Sequence, residues 1–227
     1  AKSFVRVIHI PHMSDAEVDQ AIPFEAESYI PIPIEQVYLD WEKLEEENGR
    51  MAILLIATPK ENGDKFLSVF DKMKLTPEVL EVESQSVQRA LVSRGTEPTF
   101  LVADINDHKT NLVMIQKGKL LFTSSIPVGG NQFSEVLAKQ LGISIEKAEA
   151  LKIETGLNNT AEYPNIKLSM LPILKNLAAE IKNVLQFQGE HSQIKIEKVV
   201  LCGGGARLKG ISENLALEFE GQGLGVE

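Results

Sequence analysis

The sequence has little of what marks a secreted, membrane-spanning or nucleic-acid-binding protein. Its single cysteine, Cys202, excludes an intrachain disulfide and fits a reducing compartment. No apolar run reaches the roughly 18 residues that a membrane span needs, and no secretory signal opens the chain. Lysine and arginine number 23 against 32 acidic residues, for a formal net charge of −9. Because an acidic surface repels DNA and anionic lipid, we expect no nucleic-acid partner and no direct membrane insertion.

Common catalytic motifs are also missing. The four histidines are scattered and predict no metal cluster, which leaves Mg²⁺ as the one metal worth considering. The sequence contains no Gly-x-Ser-x-Gly motif, Walker loop or Rossmann fingerprint. It offers no convincing general base either. Glu83 and Gln85, at the start of a predicted helix, are candidates to orient a water molecule, with a plain surface or core role as the alternative.

Alternating strand and helix patterns predict an α/β fold. Strands are predicted over 4–10, 37–41, 51–57, 78–82, 99–104, 110–116, 119–125 and 196–202. Helices are predicted over 61–73, 84–93, 132–140, 144–152, 171–187 and 208–219. Lys117-Gly118 is predicted as a tight hairpin turn, and 45–49 as a polar turn.

The first predicted helix has recognisable signals at both ends. Ser14 is placed to cap it, with Glu17 three residues later completing a capping box. Pro23 lacks an N–H group and should kink or end the helix, leaving a second piece over 24–29.

An acidic turn is a candidate ligand site. Asp104 stands at a strand end, and the turn after it leads to Thr110. A carboxylate followed by exposed backbone N–H groups can hold phosphates and a hydrated Mg²⁺, with Thr110 donating its hydroxyl to a phosphate oxygen. The alternative is a plain polar turn, since Asn and Asp are common turn residues. On this motif alone the alternative is the better interpretation.

Two glycine-containing turns are further candidates. Gly203, Gly204 and Gly205 follow an apolar strand and precede a helix, which allows a ligand to approach the backbone closely. Gly129 and Gly130 likewise lie between a strand and a helix. For both turns, a tight connection without a ligand is the alternative.

Glu149 and Lys152 lie three residues apart on one predicted helix face. They form either a surface ion pair, worth about 0.2–0.5 kcal/mol, or a pair that faces the sugar and base of a nucleotide. Taken alone, the surface pair is the better interpretation.

The order of these pieces resembles the second half of the superfamily of actin, heat-shock chaperones and sugar kinases. Within it, the sequence is similar to the PilM family of type IV pilus assembly proteins, and more weakly to the cell-division protein FtsA. The stretches that carry the similarity are 10–14, 27–31, 79–91, 126–130, 148–152 and 199–210.

The resemblance implies an actin-like (ribonuclease-H-like) ATPase fold with an incomplete first lobe. Residues 1–57 would hold a small inserted α+β subdomain plus a strand, and 58–95 the remainder of the first lobe. Residues 96–227 would form the second lobe, with a helical insertion over about 131–190. We expect the opening strands, with the first phosphate-binding turn, to be absent from this chain, and a C-terminal end to be missing as well.

The resemblance also implies a function. The protein would be a cytoplasmic scaffold of type IV pilus assembly that binds ATP with Mg²⁺ and is at most a slow ATPase. It would dock the cytoplasmic tail of a PilN-like inner-membrane protein in a groove around 25–33. It would thus lie peripheral to the inner membrane, beside other pilus assembly proteins. The alternatives are an FtsA-like cell-division protein and an active ATPase or kinase of the same fold.

Carried over by position, the resemblance assigns ten nucleotide-binding residues. They are Asp104 (also the metal contact), Asn106 and Thr110 in the second phosphate-binding turn, Gly129 and Gly130 after the third strand, Glu149 and Lys152 at the ribose and base, and Gly203, Gly204 and Gly205 in the adenosine-binding turn. The chain departs from the family pattern at two positions, where Asn106 replaces the usual Gly and Asp107 a small residue. We expect Asn106 to crowd the phosphates and Asp107 to add negative charge beside them.

Overall fold

The computed structural model describes residues 3–47, 49–92, 99–191, 195–221 and 223–227. The chain divides into two compact units. The first unit contains Ala1–Ser93 and Lys119–Thr123, and the second contains Arg94–Gly118 and Ser124–Glu227. The predicted division at 57 and 95 is finer than these two units and stays a prediction.

The first unit is built on an antiparallel sheet. Its strands are β1 (Phe4–Pro11), β2 (Val37–Glu47) and β3 (Arg50–Pro59), with β3 in the middle. Strand β6 (Lys119–Ile126) is divided between the units, and its first part pairs with β1, where Arg6 lies opposite Phe122. Strand β3 is buried almost throughout, as its continuous apolar sequence predicts.

Helix α1 (Asp15–Glu27) covers this sheet with one apolar face. Val18, Ile22 and Ala26 recur every four residues and are buried against the apolar side chains of β1 and β3. The predicted capping box is present: the Glu17 carboxylate accepts hydrogen bonds from the Ser14 N–H (2.8 Å) and hydroxyl (2.7 Å). These bonds lower the pKa of Glu17.

Three predictions for the first unit are wrong in whole or in part. Pro23 does not end helix α1, which continues to Glu27 because burial of its apolar face outweighs the lost hydrogen bond. The alternative, a kink at Pro23, stays a prediction. Strand β2 extends through Glu47, where a polar turn was expected over 45–49. Residues 78–82 are not a strand, since within the described part of the chain they pair with no other strand.

Two more helices belong to the first unit. They are α2 (Lys60–Lys72) and α3 (Glu83–Leu91), both close to their predicted bounds, although Ser93 and the predicted break over 95–98 lie outside the described residues. Glu83 and Gln85 occupy the first turn of α3. Gly63 lets α2 approach β2, because a Cβ there would lie 2.8 Å from the Tyr38 ring.

The second unit combines antiparallel and parallel pairing. Strands β4 (Phe100–Ile105) and β5 (Thr110–Gln116) are antiparallel, whereas β7 (Lys198–Cys202) runs parallel to β4. A short strand, β8 (Gly225–Val226), extends the sheet beyond β7 and was not predicted. All six residues of β4 are buried, which makes it a central strand. The predicted Lys117-Gly118 turn is confirmed by positive φ angles of 49° and 77°.

The helices of the second unit follow the predicted order. They are α4 (Gly130–Leu141), α5 (Ile145–Thr155), α6 (Ile166–His191) and α7 (Ile211–Glu218). Helix α6 begins five residues before its predicted start, and Gly205–Arg207 forms a short 3₁₀ turn before α7. Among the described residues, none of the helices has the length and apolar content needed to cross a bilayer.

Candidate functional site

The candidate site lies where β4 and β7 end. Because these strands are parallel, their carboxyl ends meet at one sheet edge, the usual position of ligand sites in α/β sheets. Asp104 pairs with Cys202 in the β4–β7 register, and Gly203 follows Cys202 directly. Asp104 and the triple-glycine turn, which were predicted separately, are therefore neighbours. All ten predicted positions lie within the second unit.

The Asp104 carboxylate is buried, with 5% of the residue exposed, and is surrounded by protein donors. Its Oδ2 accepts from Asn106 Nδ2 at 2.8 Å and from Asn111 Nδ2 at 3.4 Å. The Cys202 thiol lies 3.7 Å from Oδ1. Since a buried charge is stable only when it is hydrogen-bonded, these groups fix the carboxylate in one orientation. Sequence reasoning did not find the contributions of Asn111 and Cys202.

The turn after Asp104 is fastened to the start of α4. The Gly130 N–H donates to the Asn106 carbonyl (2.8 Å), and the Asn131 N–H donates to the Asp107 carbonyl (2.8 Å). Thr110 is fully buried, and its hydroxyl donates to the Val128 carbonyl at 2.7 Å. The Thr110 hydroxyl therefore donates to the protein backbone and stabilises the turn. The sequence had predicted that it donates to a phosphate oxygen.

The backbone of Asn106 does not take the left-handed conformation that a glycine at this position could adopt. Among the described non-glycine residues, only Lys74 and Lys117 have positive φ. The Asn106 side chain folds back onto Asp104, and its N–H donates to the Lys109 carbonyl at 2.9 Å.

Several glycines of the site are required by the protein's own packing. A Cβ on Gly203, which has φ +80°, would lie 2.5 Å from Asp104 Oδ1. A Cβ on Gly129 would lie 2.6 Å from the Asp107 carbonyl oxygen, and one on Gly205 would overlap the Ile105 side chain. Gly204 differs, because a Cβ there would have no neighbour within 4 Å. Gly204 is thus the position of this turn at which a ligand has room to approach.

Glu149 and Lys152 form the predicted pair and also reach the glycine turn. Lys152 Nζ donates to Glu149 Oε2 at 2.7 Å and to the Gly130 carbonyl at 3.1 Å. The Ser134 hydroxyl, which sequence reasoning missed, donates to the same carboxylate. Burial raises the pKa of Glu149, but the bonds from Lys152 and Ser134 outweigh it, and the net pKa lies below its usual value.

The structure thus places the predicted residues in two groups, one around Asp104 and one around Gly130. The turn that follows β4 contacts both groups. Asp104 contacts the Gly203–Gly205 side, and Asn106 contacts Gly130, which in turn contacts Lys152. The resulting edge contains the carboxylates of Asp104 and Glu149, the ammonium group of Lys152 and approachable backbone at Gly204, which fits a phosphate-containing ligand. No group of three or more His, Cys, Asp or Glu able to hold a metal occurs within the described ranges.

A second feature lies in the first unit. An open cavity of about 300 Å³ is lined by Glu27, Ile30, Pro31, Ile32, Pro33, Ile34 and Glu35. It overlaps the predicted peptide groove around 25–33. Its lining combines apolar side chains with carboxylates, which suits an apolar peptide carrying positive charge.

Two comparisons with known proteins relate nearly the whole chain to PilM. The family model for type IV pilus assembly protein PilM matches residues 1–222. A chain of the solved PilM-PilN type IV pilus biogenesis complex is 28% identical, with a TM-score of 0.80. That match covers 99% of this chain and 66% of the other.

Other similarities are more distant. FtsA of Neisseria meningitidis is 27% identical over 149 residues, which are 56% of this chain and 36% of FtsA. MreB5 of Spiroplasma citri, solved bound to ADP, is 19% identical with a TM-score of 0.54, over 74% of this chain and 61% of MreB5. The chain thus spans about a third of FtsA and about two thirds of the solved pilus protein. Together, these structures confirm the predicted actin-like fold.

Proposed function

The chain belongs to the PilM family of type IV pilus assembly proteins, and we propose that it is a cytoplasmic actin-like scaffold of the pilus machinery. In this proposal the second unit binds a nucleotide, and the first unit binds the cytoplasmic tail of a PilN-like inner-membrane protein. The observation that carries the proposal is a structural match to a chain of the PilM-PilN complex. That match covers 99% of this chain.

The nucleotide half of the proposal is supported by the contacts at the end of β4. Gly204 provides approachable backbone, and Lys152 provides a positive charge 3.1 Å from the Gly130 carbonyl. Glu149 holds Lys152 in place and can accept hydrogen bonds from ribose hydroxyls. Mg²⁺, when bound with the nucleotide, would supply positive charge that neutralises the phosphates.

Thermal unfolding tests the nucleotide half. A ligand that binds only the folded state at 100 times its Kd stabilises it by about 2.7 kcal/mol. We expect ATP to raise the Tm of the wild-type chain and to raise that of Lys152→Met much less. Lys175→Met, on an exposed position of α6, is the matched control and should respond as wild type. An equal rise in all three proteins would place the nucleotide elsewhere.

The peptide half is supported by the cavity in the first unit. Ile30, Ile32 and Ile34 supply an apolar lining, and Glu27 and Glu35 supply negative charge. The solved relative is itself a PilM-PilN complex. We propose that a tail segment with apolar and basic residues lies in this cavity.

Fluorescence anisotropy with a labelled PilN-tail peptide tests the peptide half. Ile32→Glu places a charge in the lining and should weaken binding by at least about tenfold, the effect of 1.4 kcal/mol. Val79→Glu is the control, because Val79 is 76% exposed and does not line the cavity. Equal binding by wild type and Ile32→Glu would reject this site.

An FtsA-like role in cell division is the second candidate function, favoured by the 27% identity to FtsA over 149 residues. Failure of every PilN-tail peptide to bind would shift the choice toward it. Release of phosphate from ATP above background would instead support an active ATPase of the same fold.

A further inference from the structure

The carboxylate of Asp104, which was predicted to contact a metal, already accepts hydrogen bonds from protein groups. A carboxylate has two oxygens and about four lone-pair sites. Asp104 Oδ2 accepts from Asn106 at 2.8 Å and from Asn111 at 3.4 Å. Oδ1 faces the Cys202 thiol at 3.7 Å and the Gly203 backbone, where an added Cβ would lie 2.5 Å away. Both oxygens are therefore covered, and the residue is 5% exposed.

Asn106 is the main part of this cover, because its position is fixed at several points. Its Nδ2 lies 2.8 Å from Asp104 Oδ2 and 3.3 Å from the Asp104 carbonyl oxygen. Its N–H donates to Lys109 O and its carbonyl accepts from Gly130 N. A cation with its water shell could reach Oδ2 only by breaking a short hydrogen bond to a charged group.

We propose that Asn106 closes Asp104 to divalent cations, so that this site takes a nucleotide with little dependence on a protein-bound metal. The proposal rests on the nucleotide function proposed above. Asn106 acts here as a positioning residue, because it neutralises the metal-binding capacity of Asp104 without itself contacting a metal. The site should therefore bind the nucleotide without Mg²⁺ about as well as it binds the Mg²⁺-nucleotide complex.

The first experiment uses Mn²⁺ alone, without nucleotide, and follows paramagnetic broadening of amide signals around Asp104. Wild type should show no selective broadening there at concentrations that broaden the signals in Asn106→Ala. Removing one hydrogen bond to a charged group corresponds to at least about a tenfold gain in Mn²⁺ affinity. Asn106→Gly is a second variant for the case that Asn106→Ala does not fold. Asn131→Ala, whose side chain contacts His108 rather than Asp104, is the control and should behave as wild type.

The second experiment compares ATP binding in EDTA and in Mg²⁺ by calorimetry. Wild type should bind ATP with affinities within about threefold in the two conditions, and Asn106→Ala should gain at least about tenfold from Mg²⁺. Strong Mn²⁺ broadening at Asp104 in wild type, or equal Mg²⁺ dependence of wild type and variant, would overturn the proposal. Absence of ATP binding in both conditions would reject the nucleotide function instead, and the Mn²⁺ experiment would still decide the role of Asn106.

Discussion

At the residue scale, the glycines of the Gly203–Gly205 turn have different reasons to be glycine. Gly203 has φ +80° and touches Asp104, whereas Gly204 has φ −62° and ψ −39° with open space around it. The first is therefore constrained by the protein itself, and the second leaves room for a ligand. A single sequence cannot separate these two cases, since the letters are identical.

Alanine substitutions test this distinction. Gly203→Ala forces a side chain into a left-handed conformation against Asp104, and should lower the free energy of unfolding by about 1–3 kcal/mol. Gly204→Ala should change it by less than about 0.5 kcal/mol. Urea unfolding of both variants measures the difference. Equal stability losses would contradict the turn geometry.

The Glu149–Lys152 pair predicts a pH dependence. Because the folded-state pKa of Glu149 is lowered, its contribution to stability is present above the unfolded pKa and is lost as pH falls through the folded one. Lys152→Met should raise the pKa of Glu149. The variant should therefore lose less stability than wild type as the pH falls. A carboxyl NMR titration measures the pKa, and Tm against pH measures the stability. Lys147→Met, exposed on the same helix, should leave the Glu149 pKa unchanged, and an unchanged pKa in Lys152→Met would refute the pairing.

At the element scale, burial of apolar side chains keeps helix α1 intact beyond Pro23, a residue that usually ends a helix. Pro23 gives the Asp19 carbonyl no N–H partner at the usual i+4 position. Val18, Ile22 and Ala26 nevertheless keep the helix on the sheet.

Restoring the missing N–H should therefore stabilise the helix. Pro23→Ala is expected to raise the free energy of unfolding by about 1–3 kcal/mol. Chemical denaturation checks this value. A loss of stability would mean that the proline ring contributes packing that exceeds the gain from the hydrogen bond.

The sequence predicted most elements because their local signals are clear, as in the short apolar run of the fully buried β4. It was wrong over 78–82, since a strand depends on a partner elsewhere in the chain and not on its own letters. The same limit applies at the candidate site. Spacing placed Asp104 at a strand end, but no spacing rule indicated that the Asn106 amide covers its carboxylate at 2.8 Å. Contacts between distant segments, such as Ser134 with Glu149, were likewise out of reach.

At the scale of the whole molecule, the first unit exposes an apolar face on α2. Phe66 is 64% exposed, and Val69 and Met73 are each 52% exposed. These residues lie three and four positions apart, with Met73 at the C-cap of α2, and so lie on one side of the helix. Adjacent exposed apolar side chains of this size promote association between proteins.

Sedimentation velocity at rising concentration tests this surface. The wild-type chain should self-associate more than the double variant Phe66→Ser and Val69→Ser. The double variant should otherwise keep its stability within about 1 kcal/mol, since neither side chain is buried. Leu217→Ser, 62% exposed in the second unit, is the control and should associate as wild type. Identical sedimentation of all three proteins would contradict the prediction.

We propose that the predicted residues at the end of β4 form one nucleotide site. Its most direct test is an amide NMR map of the chain titrated with ATP. We expect shift changes to concentrate at Asn106, Gly130, Lys152 and Gly204, and the signals of the first unit to change little. Changes centred on other residues, or no changes at saturating ATP, would contradict it.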